Sequence, residues 1–225
     1  MRIPMFVDID GMNVLVLGGG DEAVKKTKRF LKYGASMTIY SLKFDDELLK
    51  LGREGSVRLV RGDVRDRQTL ERIIQANDMV IYTVPDMPEA EDWVIDICKK
   101  GHKLYIIATD AKKTQIAMPV ETVGAGLRIA VTSEGKSTLV AKLVAEEINS
   151  YLKGRNDLKL FLDVMTFLKE YMKENKVHYK VRMELYHKLF ADKTLRELIS
   201  KLDREGALAY IVDVVERHIH QRAGR

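Results

Sequence analysis

Four consecutive apolar residues, Val14, Leu15, Val16 and Leu17, run into Gly18, Gly19 and Gly20 and then into a helical pattern through Val24 and Phe30. An unbroken apolar run of this length predicts a strand buried on both faces, and the change of period after the glycines predicts a helix. That helix is expected from about Asp21 to Tyr33, with Gly34 as its C-cap. The same reading places strands at Ser36–Tyr40, Val57–Arg61, Met79–Val84 (halted by Pro85) and Lys103–Ala108. Helices fall between them at Asp45–Leu51, Gln68–Gln75 and Ala90–Lys100, the last capped by Gly101. Pro4–Gly11 reads as a lead-in whose Met5, Phe6 and Val7 cover an edge of the sheet. Strand and helix alternate over roughly the first 110 residues, which predicts a parallel sheet with right-handed crossovers and helices on both faces.

After Asp110 the rhythm changes. Leu127–Thr132 is one more strand-like run, and the remainder reads as helix at about Thr138–Leu152, Leu158–Lys173, Tyr179–Phe190, Leu195–Lys201 and Ala207–His220, with Gly154, Asp192 and Gly206 near the breaks. No repeat period is present. The fold class expected is therefore α/β, a Rossmann-like parallel sheet followed by a mainly helical part.

Composition narrows the function classes. The net charge of +5 is spread over helices rather than collected in a block, so nucleic-acid binding is not indicated and an anionic small substrate suits the chain better. The single cysteine, Cys98, lies in an apolar helical pattern with Trp93, Val94 and Ile97, which excludes a disulfide framework, points to packing and fits a reducing cytoplasm. No apolar run approaches the roughly eighteen residues of a membrane span, and Phe6 and Val7 are not preceded by a signal-peptide pattern, so no membrane association is expected.

The chemistry is expected at the carboxyl ends of the strands. Gly18-x-Gly20-x-x-Ala23 matches a dinucleotide fingerprint: one glycine for the tight turn, one for close approach of a pyrophosphate, and a small residue for packing helix on strand. Gly18, Gly19, Gly20, Asp21, Glu22 and Ala23, with Thr83 and Val84 after the fourth strand, are the cofactor-binding candidates. The second strand ends in Tyr40-Ser41-Leu42-Lys43, without the acidic residue that grips an adenosine ribose. Ser41 can bond the ribose instead and Lys43 can meet a 2′-phosphate, so NAD is expected with NADP left open. Asp110 is the candidate for proton transfer beside a bound nicotinamide.

Gly135-Lys136-Ser137-Thr138 is not a P-loop, because the glycine that motif needs five residues earlier is Ala130. The turn either offers N–H groups and a lysine to an anion or places Ser137 or Thr138 as a plain N-cap. His102, His178, His187, His218 and His220 lack metal-ligand spacing, the last two falling on different faces of a helix, so no protein-held metal is expected.

With these pieces in order the sequence resembles the precorrin-2 dehydrogenase family, the NAD-dependent part of siroheme synthases, some of whose members also insert iron into sirohydrochlorin. The resemblance rests on Pro4-Met5-Phe6-Val7-Asp8, Val14–Ala23, Ile81–Asp86, Ile106–Asp110, Met118-Pro119, Ile129–Leu143 with Ser133, Gly135 and Ser137, and Glu184-Leu185-Tyr186-His187-Lys188-Leu189-Phe190. It implies a dinucleotide-binding domain over residues 1–112, a dimerisation segment over 113–153 and a small helical domain over 154–225. It further implies a homodimer that passes a hydride from precorrin-2 to NAD, with metal insertion left open. The substrate would be a tetrapyrrole with eight carboxylates, and Lys112, Lys113, Arg128, Lys136 and Ser137 are the candidates to bind it.

The chain departs from the family pattern at four positions. Alignment back from Pro119 puts Thr109 where the family has an aspartate, with Asp110 one position later; Ile106 replaces an asparagine, Thr138 a proline and Glu134 a glycine. The missing aspartate leaves a second reading, a regulatory module that binds NAD(H) without turnover.

Overall fold

The computed structural model describes residues 2–223, with side chains through residue 219. The elements alternate as the apolar pattern predicts: β1 (Asn13–Leu17), α1 (Asp21–Leu31), β2 (Ser36–Ser41), α2 (Asp46–Arg53), β3 (Val57–Arg61), α3 (Arg67–Gln75), β4 (Met79–Tyr82), α4 (Pro88–Lys100) and β5 (Leu104–Ile107). All four ladders are parallel and the strand order is β3-β2-β1-β4-β5. Successive strands first step one way from β1 and then, at β4, the other, so the order reverses beside β1, where an open α/β sheet leaves a crevice.

The sheet is covered on both faces. Leu15, Leu17, Val80, Tyr82 and Ile107 pack with Leu70, Ile74, Val94 and Cys98 of α3 and α4. On the opposite face Val14, Val16, Ile39, Ile81 and Ile106 pack with Ala23, Phe30 and Leu48 of α1 and α2. Alternate residues of one strand thus feed two cores, which is why the strands read as unbroken apolar runs. Cys98 is one of these core residues, and burial pushes its thiol up to about 12. Asp45 and Asp66 cap α2 and α3 by accepting from Glu47 N–H and Thr69 N–H, and Pro88 opens α4, where its missing N–H has no partner to lose.

The lead-in departs from expectation. Met5, Phe6 and Val7 are 68%, 69% and 51% exposed and cover no edge of the sheet. The segment is fastened at its ends instead. The Arg2 guanidinium donates to the carbonyls of Ala111, Thr114 and Gln115, and at the other end Gly11 N–H donates to Gly34 O while Ile9 and Met12 join the core. Helix α1 also ends earlier than expected, at Leu31, and Lys32 to Gly34 form the turn, with Gly34 at φ +81°.

The chain divides into two compact units, the first comprising Met1–Met118 with Thr132–Ser137 and the second Pro119–Val131 with Thr138–Arg225. The second contains β6 (Val120–Gly124) and β7 (Leu127–Val131), an antiparallel hairpin of which only β7 is legible as a strand in the sequence. It turns through Ala125 and Gly126, both at positive φ as a two-residue primed turn requires. The hairpin packs on α5 (Thr138–Leu152). Helices α6 (Asn156–Glu174), α7 (Tyr179–Phe190), α8 (Lys193–Ser200) and α9 (Arg204–Ala223) close around Val164, Leu168, Met172, Leu185, Leu195, Ile211 and Val215. The Arg196 guanidinium lies over the rings of Phe161 and Phe190, 4.1 and 4.8 Å from their centroids.

Among the described residues, no helix is long and apolar enough to cross a membrane, and no group of three or more His, Cys, Asp or Glu side chains is placed to hold a metal ion. The His220 side chain, half of the histidine pair considered above, lies outside the described residues.

Candidate functional site

At the carboxyl ends of β1, β2, β4 and β5 lies a cleft of about 390 Å³, lined by Gly18, Gly19, Gly20, Asp21, Glu22, Ser41, Thr83, Val84, Pro85, Ala108 and Thr109. It sits at the point where the strand order reverses.

The three glycines of the turn meet different constraints. Gly18 has φ +110°, and a Cβ there would collide with Thr83 Oγ1. A Cβ on Gly19 would collide with the carbonyl oxygen of Lys43. Both are glycines because the protein's own atoms occupy that space. Gly20 is different: a Cβ there would meet nothing within 4 Å, and its φ of −95° is open to any residue. Nothing within the protein demands glycine at position 20, while the cleft beside it is the place where a phosphate needs close backbone approach.

Gly20 is also the N-cap of α1 and supplies no capping side chain, so the first N–H groups of the helix are not closed off by a cap. They offer donors and the positive end of the helix dipole to an anion. Glu22 lines the cleft, but Lys25 bonds its carboxylate at 2.8 Å and Lys26 approaches at 3.9 Å; the Lys25 hydrogen bond holds it below the usual carboxylate range. Its charge is therefore answered locally.

Most of the expected cofactor residues come together here. Gly18, Gly19, Gly20, Asp21, Glu22, Ser41, Thr83 and Val84 all line the cleft, and Thr83 is fixed by donating both N–H and Oγ1–H to Leu17 O, each at 2.9 Å. Ala23 is buried behind the turn, where its small side chain lets α1 sit close to β1. Lys43 contributes its backbone carbonyl against Gly19, and its side chain is not part of the lining.

Beyond β5 the chain places Thr109, not Asp110, in the lining. Asp110 is half-buried, and its Oδ1 accepts from Lys112 N–H at 2.7 Å in a tight turn. Lys113 is bound to Asp92 and Glu91 at 2.7 and 2.9 Å, which raises its pKa and commits its charge to the protein. Lys112 and Lys136 are exposed on two loops of the first unit that touch where the Gly135 Cα faces the Ala111 Cβ. In the Lys136 loop Ser137 N–H donates to Ser133 Oγ, whose hydroxyl donates back to Ser137 O. Arg128 stands on β7 in the second unit, paired with Glu121 at 3.1 Å.

One residue of this neighbourhood escaped the sequence reading. Glu91 is buried, and its Oε2 accepts from the Thr109 hydroxyl at 2.5 Å. Burial, and after it the Glu91 charge, pushes the neighbouring Tyr82 hydroxyl up to about 12. The available signal was spacing, since Glu91 stands three, four and seven residues before Val94, Ile95 and Cys98, on the face of α4 that the core claims.

Residues 5–120 match a family of domains described as "Putative NAD(P)-binding" (NAD_binding_7). The chain belongs to this NAD(P)-binding family. The matched residues contain the whole parallel sheet and every residue that lines the cleft, so family membership and cleft geometry agree on a dinucleotide.

Two curated relatives extend the similarity beyond that domain. A "Putative precorrin-2 dehydrogenase" from Methanocaldococcus jannaschii is 25% identical over 203 residues, 89% of this chain and 95% of the relative. A "Siroheme synthase" from Actinobacillus pleuropneumoniae is 24% identical over 218 residues, 97% of this chain but 42% of the relative, so the chain spans less than half of that longer protein. Among solved structures, "SirC, precorrin-2 dehydrogenase" shares the fold with a TM-score of 0.68 over 94% of this chain and all of that one, at 21% identity.

Proposed function

We propose that this NAD(P)-binding protein is a dehydrogenase that oxidises precorrin-2 to sirohydrochlorin with NAD as hydride acceptor. The observation that carries the reading is end-to-end similarity to the Methanocaldococcus jannaschii relative, which the chain matches over 95% of its length rather than over the nucleotide-binding domain alone. The glycine turn would hold the pyrophosphate, Ser41 the adenosine ribose, and the Thr83–Pro85 and Ala108–Thr109 ends of the cleft would flank the nicotinamide. The dinucleotide supplies the hydride chemistry; the protein binds, orients and accepts the released proton. Asp110, one residue beyond the Thr109 that lines the cleft, is the carboxylate proposed to take that proton, and Lys112 and Lys136, exposed on adjoining loops, are proposed to meet substrate carboxylates.

The test is direct. Purified protein given precorrin-2 and NAD is expected to develop the absorbance of sirohydrochlorin together with that of NADH. Absence of product with both NAD and NADP would overturn the reading, and NADH binding without turnover would favour a regulatory module.

We further propose that residues 1–112 form the dinucleotide-binding domain, 113–153 the dimerisation segment and 154–225 a small helical domain, and that the protein works as a homodimer in the cytoplasm. The support for pairing is a run of exposed apolar residues in the middle segment: Leu139 is 77% and Leu143 55% exposed on α5, and Val123 and Leu127 are exposed on the hairpin that packs on that helix. Exposed apolar side chains in such concentration mark interaction surfaces. Replacing Leu139 and Leu143 together by aspartate is expected to shift the sedimenting species from dimer to monomer. Unaltered sedimentation of a dimer would place the interface elsewhere.

A further inference from the structure

We propose that Thr109 acts as a hydrogen-bond acceptor for an N–H group of the bound ligand, and that Glu91 is the positioning residue that holds it in that role. The inference deepens the dehydrogenase reading and rests on it. The Glu91 side chain is only 9% exposed, and one of its oxygens is ion-paired to Lys113 Nζ at 2.9 Å. The other oxygen lies 2.5 Å from Thr109 Oγ1.

An ionised carboxylate has lone pairs and no proton to give, so the proton between these two oxygens belongs to threonine and points at Glu91. A hydroxyl has one proton. Once that is directed to the carboxylate, the Thr109 oxygen has only lone pairs left to offer, and Thr109 lines the cleft. A second acceptor, such as a substrate carboxylate or a cofactor phosphate, finds no donor in this hydroxyl. A donor finds a partner whose orientation is already fixed.

Two N–H donors meet at the reacting end of the proposed complex, the carboxamide of the nicotinamide and a pyrrolic N–H of the tetrapyrrole, while the adenine amine lies at the opposite end of the dinucleotide. Both would be selected by the same chemistry, and Thr109 stands just after β5, beyond the pyrophosphate turn and toward the end of the cleft where the nicotinamide is proposed to lie. Thr109 backed by Glu91 presents acceptor character to the cleft, with the negative charge set one residue deeper and balanced by Lys113.

The experiment compares Thr109→Val, which keeps shape and removes the acceptor, with Thr109→Ser, which keeps the hydroxyl. NADH affinity is read by fluorescence titration and the KM for precorrin-2 by steady-state kinetics. Thr109→Val is expected to weaken one of these by roughly three- to tenfold, the equivalent of one hydrogen bond, while Thr109→Ser stays near wild type. A loss in NADH affinity identifies the carboxamide as donor, and a rise in KM alone identifies the pyrrole. Glu91→Gln is expected to change the same quantity, with no further change when combined with Thr109→Val. If Glu91→Gln does not fold, Glu91→Asp, which draws the carboxylate back from Thr109, replaces it with the same expectation, and a folded Glu91 variant unchanged in both readouts overturns the positioning role. Thr109→Val indistinguishable from wild type in both readouts, or Thr109→Ser as impaired as Thr109→Val, overturns the inference. Wild-type turnover alongside either result counts against this inference alone, whereas absent wild-type turnover counts against the dehydrogenase reading.

Discussion

Gly20→Val is expected to weaken NAD binding by at least about a hundredfold, roughly 2.7 kcal/mol, while leaving the protein folded. The two halves of that expectation come from one observation: the space a Cβ would enter at position 20 holds no protein atom within 4 Å. No protein atom meets a Cβ there, and the extended backbone, φ −95° and ψ −167°, suits a β-branched residue. The folding cost is that of a poorer N-cap, on the order of 1 kcal/mol or a few degrees in Tm. The binding cost is large because the isopropyl group would stand where a pyrophosphate must reach the backbone N–H groups of α1. Gly19→Ala is the matched control. Its Cβ would collide with Lys43 O, so it is expected to lower Tm markedly before binding can be judged. Titration with NADH and thermal melts separate the two; unchanged affinity in Gly20→Val would mean the dinucleotide does not lie across the turn.

The parallel sheet was readable because each strand carries its own signal. Val14–Leu17 are all fully buried, and only a strand packed on both faces asks for four apolar residues in a row. A helix end was readable where capping chemistry is local, as at Gly101 after α4. Strand β6 was not. Val120-Glu121-Thr122-Val123-Gly124 alternates weakly, and its partner strand begins after Ala125-Gly126. Alanine at φ +50° is an uncommon turn residue, so the hairpin lacks the asparagine or aspartate that would announce it. The exposed Met5, Phe6 and Val7 misled for a related reason: apolarity alone does not say whether the surface that covers a residue is its own chain's.

The site divides along the same line. The glycine turn is a local motif, and the sequence spacing alone places it between β1 and α1. The Thr109, Glu91 and Lys113 cluster is assembled from α4 and the segment after β5, residues 18 and 22 apart in sequence for the Glu91 pairings. No spacing rule joins them, and a glutamate in the first turn of a helix is ordinarily a solvated favourable charge at the dipole's positive end. Its spacing to Val94, Ile95 and Cys98 turns this one toward the core, but only the packing of α4 on the sheet brings it to Thr109.

Asp110→Asn is expected to lower kcat by about a hundred- to ten-thousandfold, the usual range for loss of a general base, with NADH affinity unchanged. Asparagine is the informative replacement because Asp110 already holds its own turn together. Its Oδ1 accepts the Lys112 N–H at 2.7 Å, and its backbone carbonyl accepts from Lys113 and Thr114. An asparagine carbonyl can accept the same bond and is equally at home in such a turn, so the loop that carries Thr109 and Lys113 keeps its shape. What asparagine lacks is basicity. Asp110→Ala removes both functions and is expected to lose activity together with some thermal stability, since the Lys112 N–H would be left to water. If the carboxylate serves only the turn, Asp110→Asn will retain kcat while Asp110→Ala melts lower. If it receives the proton, both variants will be inactive and only the alanine variant destabilised. The contrast between the two variants, rather than either rate alone, therefore assigns the proton acceptor.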